Sequence, residues 1–307
     1  MDDNDRLAER FEEHRDHLRA VALRLLGSVT EADDAVQESW FRLVRSDPDE
    51  IENLGGWLTT VVSRICLDVL RSRRARPEDA WGTALVDAEP AAPADHHGTG
   101  RPPEEEALLV DEVGLALLVV LSRLGPAERV AFVLHDLFAV PFERIAAIVD
   151  RSPVAAKKLA SRARQRVRGT PAPVGADDPE QHRRVVEAFL AAARGGDLRG
   201  LVALLDPDVV RRADEALVAT TGVPPVLRGA GAVVEETAGN APRAVFARVM
   251  LVDGRVGLVV APGGRVRLVM TFDLAGDRIT AIDAIGDPER LARTELALLD
   301  PPDPAAA

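Results

Sequence analysis

Residues 135–167 read HDLFAVPFERIAAIVDRSPVAAKKLASRARQRV. The stretch opens on the end of a helix, and Pro141 marks a tight connection. Phe142, Ile145, Ala146, Ile148 and Val149 then recur at helical steps, which predicts a short amphipathic helix over 141–149. Asp150-Arg151 makes a second turn. Ser152 stands where a side-chain oxygen can cap the next helix, and Pro153 stands at its first position, where a missing N–H costs nothing. That helix runs to Arg168 and carries Lys157, Lys158, Arg162, Arg164, Arg166 and Arg168 with no acid among them. Two short helices joined by a tight turn, the second one cationic, make a helix-turn-helix with a recognition helix. Side chains near the start of such a helix reach base edges, and those further along meet phosphate. A solvated cationic face that binds nothing is the alternative; the helix-turn-helix pattern in front of it favours DNA.

The average charge conceals this patch. The 307 residues carry a formal net charge of −12, which argues against a protein that coats nucleic acid with its whole surface. Yet Arg64, Arg71, Arg73, Arg74 and Arg76 face a single acid, Asp68, between residues 60 and 76, while residues 77–112 hold ten acids against Arg101 alone. Two basic patches therefore flank an acidic spacer. With 47% hydrophobic residues the composition is that of a globular protein, and its length suggests two or three domains. No apolar run reaches the roughly 18 residues of a membrane span. The N-terminal MDDNDRLAER is too acidic and polar for a secretory or transit peptide, and the single cysteine, Cys66, excludes an intrachain disulfide and a cysteine zinc cage. A cytoplasmic protein without cofactor, metal or membrane attachment is expected.

Upstream of the patch, three helices are legible. Leu7, Phe11, Leu18, Val21 and Leu25 recur at helical steps until Gly27. Thr30 is the expected N-cap of a second helix over 31–44, with Ala32, Val36, Trp40 and Leu43 on one face. A third runs from about Leu54 to Arg74, with Leu58, Val61, Val62, Ile65 and Val69 as its inner stripe. Its basic end with Trp57 fits either a site for single-stranded bases or a helix end complementing its own dipole. Residues 77–107 are rich in Pro, Ala, Gly and acid and are read as a flexible linker. Helical pattern resumes from Ala107 to Leu124 and, after Gly125, from Pro126 to Leu137. Beyond a second linker at 170–179 the periodicity changes. Two helices broken at Gly195-Gly196 precede a strand-like LLDPDVVRR. ARVMLV, RVGLVVA, RVRLVMTFDL and RITAIDAI then alternate with turn residues, which predicts an α+β unit on an antiparallel sheet.

Taken together, EADDAVQESWFRL, GGWLTTVVSRICLDVLRSRRAR and SPVAAKKLASRARQRVR resemble, in order, the motifs of an extracytoplasmic-function RNA polymerase sigma factor. The resemblance covers about residues 5–170 and implies two all-α modules. Residues 1–76 would be region 2, which docks on the β′ clamp of core RNA polymerase and recognises the promoter −10 element. Residues 108–169 would be region 4, a helix-turn-helix for the −35 element that meets the β flap. It implies polymerase docking through Asp34, Gln37, Glu38 and Trp40, a −10 face of Arg64, Asp68, Arg71 and Arg73, and a −35 face of Arg151, Ser152, Lys157, Lys158, Ser161 and Arg162. The acidic linker 77–107 would thread toward the RNA channel, with Glu104, Glu105 and Glu106 against cationic walls.

Residues 180–299, before a tail at 300–307, resemble the SnoaL-like extension of one subgroup of these factors, an NTF2-like α+β cone-shaped barrel. Its subgroup motifs fall at Trp81 with Glu89-Pro90, near Asp214-Glu215-Ala216, and at Asp287-Pro288-Glu289-Arg290-Leu291. The resemblance implies a regulatory domain acting through Asp214, Asp287, Pro288 and Leu291, which replaces or supplements a separate anti-sigma factor. Asp206, Asp208, Asp214, Asp273 and Asp283 could act as a general base if buried, but His182 is the domain's only histidine, so no catalytic residue is expected. The competing reading is a one-component helix-turn-helix regulator whose C-terminal domain senses a ligand.

Overall fold

In a computed structural model, residues 3–46, 51–75, 112–169 and 178–299 are described. They fall in two compact units, one of residues 3–46, 51–75 and 121–165, the other of 112–120, 166–169 and 178–299.

In the first unit, α1 (Asp3–Leu26), α2 (Val29–Arg45) and α3 (Leu54–Ala75) pack mutually. Leu18, Val21, Ala22, Leu25, Ala32, Leu43, Leu58 and Val62 close their core. Gly27 ends α1 at φ 76°, and Ser28 rather than Thr30 caps α2, its Oγ accepting from the Glu31 N–H at 3.4 Å. The glycine turn brings the extended residue directly after it over the helix start, so Thr30 already lies inside the first turn. The inner stripe of α3 is also rotated from expectation. Cys66, Leu67 and Leu70 are buried, while Val61 and Val69 are half-exposed.

The chain continues through α4 (Glu112–Ser122), in which Ala116, Leu117, Leu118, Val119, Val120 and Leu121 are all buried. Gly125 starts α5 (Pro126–Phe132), donating its N–H to Glu128 Oε2 at 3.2 Å. The expected helix to Leu137 is present, but its last five residues (Val133–Leu137) widen into a π-helical turn. Ala139, at φ 51°, then reverses the chain into α6 (Phe142–Val149). Asp150 closes α6 at φ 56°, a left-handed position that Asp tolerates better than most residues, and α7 (Pro153–Arg168) follows. Within this unit α3 packs against α5 and α6.

The second unit carries the α+β domain expected from the sequence. Its sheet has seven strands in the order β2-β1-β6-β5-β4-β3-β7. They are β1 (Leu205–Ala213), β2 (Val226–Arg228), β3 (Ala247–Val252), β4 (Arg255–Val260), β5 (Leu268–Ala275), β6 (Arg278–Ile285) and β7 (Leu296–Ala297). The stretch β3 to β6 is the expected antiparallel meander, with Asp253-Gly254 at φ 48° and 79° in the first hairpin. However, β1 pairs with β6 in parallel, so the sheet is mixed rather than antiparallel. These strands lie far apart in sequence, and the intervening helices and meander bring β6 in beside β1 in the same direction.

Around the sheet lie α8 (Pro179–Gly195), α9 (Leu198–Leu204), α10 (Glu215–Thr221), α11 (Ala230–Gly239) and α12 (Pro288–Arg293). Val186, Phe189 and Leu190 of α8 and Val233 and Val234 of α11 share a core with Leu205, Val209, Leu258, Phe272 and Ile282 of the sheet. Phe189 meets Phe272 at 5.4 Å between ring centroids. No described helix is long and apolar enough to cross a membrane.

Candidate nucleic-acid interface

The inner side of α7 is made of small residues. Ala156, Ala160 and Ala163 are buried, at steps of three and four, so this length of the helix seats closely on the rest of its own unit. The opposite side exposes Arg151, Ser152, Val154, Lys157, Lys158, Ser161, Arg162, Gln165, Arg166 and Arg168. The −35 residues expected from the sequence thus share one open, acid-free face. Ser152 Oγ accepts from the Ala155 N–H at 3.2 Å and fixes the start of the helix, while Arg151 folds onto the Asp150 carbonyl at 2.8 Å. Arg164 differs from its neighbours. It donates to Asp136 at 2.7 Å, and the Asp136 side chain is 6% exposed, so this pair pins α7 to the π-helical turn. That turn is braced in its own right, with His135 stacked on Phe142 at 3.9 Å and its Nδ1 3.2 Å from the Val140 carbonyl.

The basic end of α3 divides. Arg64 is exposed, and its Nη2 donates to the Ala147 carbonyl of α6 at 2.9 Å. Asp68 and Arg71 are exposed as a 3.6 Å pair. Arg73 is turned the other way, donating to the Leu26 carbonyl at 3.1 Å and ion-paired with Glu31, where it latches the end of α3 to the α1–α2 turn. It is therefore not on the open face where the sequence puts it. Beneath these residues Arg129 of α5 is only 6% exposed, and its Nη2 reaches the Arg24 carbonyl at 3.4 Å. Burial, reinforced by the nearby Arg73 charge, pushes the Arg129 guanidinium down to about 10. Burial likewise raises the Cys66 thiol to about 12, against the opposing pull of Arg129, so this thiol is inert at neutral pH.

On α2, Asp34 and Gln37 are exposed, and Glu38 is tied to Arg42 at 3.0 Å. Trp40 is half-buried against Phe11, with ring centroids 5.1 Å apart, so it serves the core of the module more than its surface. Two residues the sequence reading missed extend the open stripe. Phe41 and Val44 are 44% and 46% exposed, and the spacing 34, 37, 41, 44 keeps all four on one helical face. That spacing was itself the available signal.

In the second unit the four expected regulatory residues meet in one knot. Asp214 caps α10, its Oδ1 accepting from the Leu217 N–H at 3.0 Å, and its Oδ2 accepts from the Gly286 and Asp287 N–H groups at 2.9 and 2.8 Å. Asp287 in turn caps α12, with Pro288 at its first position and Leu291 buried beneath it. Of the carboxylates considered as bases, Asp208 is exposed, and the others are engaged structurally. Asp206 accepts from the Asp208 N–H at 2.9 Å, Asp273 pairs with Arg255 at 3.1 Å and Asp283 with Arg212 at 3.4 Å. Trp81, Glu89, Pro90 and Glu104–Glu106 lie outside the described residues, as do Arg76 and the tail at 300–307.

These features define a helix-turn-helix protein with a second basic helical face in the same unit. Comparison with known proteins carries the assignment further. Residues 10–76 match the sigma-70 region 2 family and residues 114–167 the sigma-70 region 4 family. The ECF RNA polymerase sigma factor SigJ of Mycobacterium tuberculosis is 41% identical over 89% of this chain and 86% of its own length. The probable ECF RNA polymerase sigma factor SigI of the same species is 38% identical over 70% of the chain and 72% of its length. The crystal structure of M. tuberculosis SigJ aligns over 92% of the chain and 98% of that structure at 32% identity, with a TM-score of 0.42. The chain belongs to the ECF RNA polymerase sigma factors. It is thus an alternative sigma factor that works with RNA polymerase and promoter DNA, and the one-component regulator is not favoured.

Proposed function

We propose that the open face of α7 reads the −35 element through Arg151, Ser152, Lys157, Lys158, Ser161 and Arg162, and that the exposed end of α3 meets the −10 element through Arg64, Asp68 and Arg71. Arg73 has a positioning role, holding α3 against α1 and α2. The stripe of Asp34, Gln37, Phe41 and Val44 docks on the β′ clamp, its apolar pair adding burial to a polar contact, while region 4 meets the β flap. The observation that carries the reading is the cationic, acid-free face of α7 backed by buried alanines, which brings a recognition helix close to a duplex without repulsion. Arg64 spends one N–H of its exposed guanidinium on the Ala147 carbonyl, and its remaining donors are left for the promoter. The SnoaL-like domain modulates this activity without catalysis of its own, replacing or supplementing a separate anti-sigma factor; the knot at Asp214 keeps α10 and α12 in register for that role.

Permanganate footprinting of holoenzyme on its promoter tests the assignment. Arg64→Ala and Arg71→Ala should lose reactive −10 thymines yet keep core binding, and Phe41→Ser with Val44→Ser should lose core binding itself. Unchanged melting in the arginine variants would remove α3 from the −10 element.

A further inference from the structure

Val154 is 67% exposed, more than any other large apolar residue among those described. It is the second residue of α7, directly after Pro153. A β-branched side chain there adds nothing to helix propensity, and one standing in water adds nothing to the core. Lys157 and Lys158 follow at three and four residues and Ser161 at seven, so Val154 shares their face, with Arg151 beside it in the preceding turn. Its neighbours on that face are therefore cationic, and α7 itself carries no acid. An apolar group in that setting points to an anionic partner that itself presents one apolar spot.

We propose that Val154 is a specificity-determining residue that packs on the C5 methyl of a thymine in the major groove of the −35 duplex. This rests on the reading of α7 as the recognition helix. The major-groove edges of the bases offer hydrogen-bond donors and acceptors, and their single apolar group is the thymine methyl. A valine in the first turn of a recognition helix, where base edges are reached, discriminates thymine from cytosine by that group alone. Lys157, one turn on, is left for acceptor edges such as those of guanine.

The test uses the full chain bound to core RNA polymerase. Duplexes selected from a random library define the −35 element. Each thymine in it is then replaced by uracil, which removes the methyl and nothing else. Wild-type holoenzyme should lose about fourfold in affinity at one position, the ratio expected for exposing one methyl-sized group. Val154→Ala should bind the thymine and uracil duplexes equally, and Val154→Ile should keep the discrimination. The proposal is overturned if no uracil substitution weakens the wild type, if Val154→Ala discriminates as well as wild type, or if Val154→Ala weakens core-polymerase binding instead. A holoenzyme that selects no duplex would refute the recognition-helix reading first, and this inference with it.

Discussion

Arg129 supplies the sharpest quantitative expectation. Its guanidinium is buried at the junction of α5 with α1 and α3, and its Nε has no hydrogen-bond partner among the described residues. Burial first, and the Arg73 charge second, lower it from 12.5 to about 10. At about 1.4 kcal/mol per pH unit, holding this cation in place costs on the order of 3 kcal/mol. A depressed pKa on a cation makes the unfolded chain the stronger proton binder. The penalty is therefore complete at every pH below about 10 and is relieved only as pH rises through that value, so a measurement at pH 7 reads all of it. Arg129→Met keeps the volume and removes the charge, but it forfeits the bond to the Arg24 carbonyl, worth about 1–2 kcal/mol. The net expectation is a gain of about 1–2 kcal/mol, in line with other replacements of buried charge by apolar side chains. Urea unfolding followed by tryptophan fluorescence reports on this unit, because the tryptophans among the described residues, Trp40 and Trp57, both lie in it. With a slope of about 2 kcal/mol per molar, the midpoint should rise by roughly 0.5–1 M. A midpoint lowered by a similar amount would show that the buried guanidinium stabilises the unit rather than burdening it.

Asp214→Ala strips the acceptor from three backbone N–H groups and should destabilise the α+β domain by about 3 kcal/mol. Amide exchange should quicken at Leu217, Gly286 and Asp287 while the tryptophan-monitored midpoint stays put. Gly169 stands at φ 65°, and a Cβ on it would lie 2.5 Å from Ala297 Cβ, next to the Leu298 N–H to Val167 carbonyl bond at 3.0 Å. Gly169→Ala should therefore cost about 1–3 kcal/mol and speed exchange at Leu298. Lys157→Ala should change which −35 sequences are selected. Arg168→Ala should weaken binding evenly across sequences and lower the salt slope by about one, readable by titrating holoenzyme binding against salt.

Where local chemistry decides a feature, the sequence was enough. Ser152-Pro153 marks the start of α7, its charge marks the open face, and the helix spans Pro153–Arg168 as read. The Gly195-Gly196 break and the Asp253-Gly254 hairpin were legible for the same reason. Pairing between distant segments was not. Alternation identifies β1 and β6 as strands but says nothing of their parallel partnership, and β2 and β7 are too short to alternate at all. The π-helical turn keeps a nearly helical pattern of apolar residues, so only the backbone reveals it. Among the site residues, a charge run cannot say which member turns inward. Arg73 and Arg164 are bound to Glu31 and Asp136, acids far off in sequence, and Trp40 is drawn in by Phe11. Phe41 and Val44 were open to discovery, since they continue the spacing of Asp34 and Gln37.

Whether this chain directs RNA polymerase to promoters through the open face of α7 is decided by run-off transcription from its own genomic promoter, with purified core polymerase and the full-length chain. A promoter-specific transcript should depend on the chain and be lost when Lys157 and Arg162 are replaced by alanine, while core binding persists. A transcript that survives those replacements undiminished, or core polymerase that gains no promoter specificity from the wild-type chain, would contradict that role.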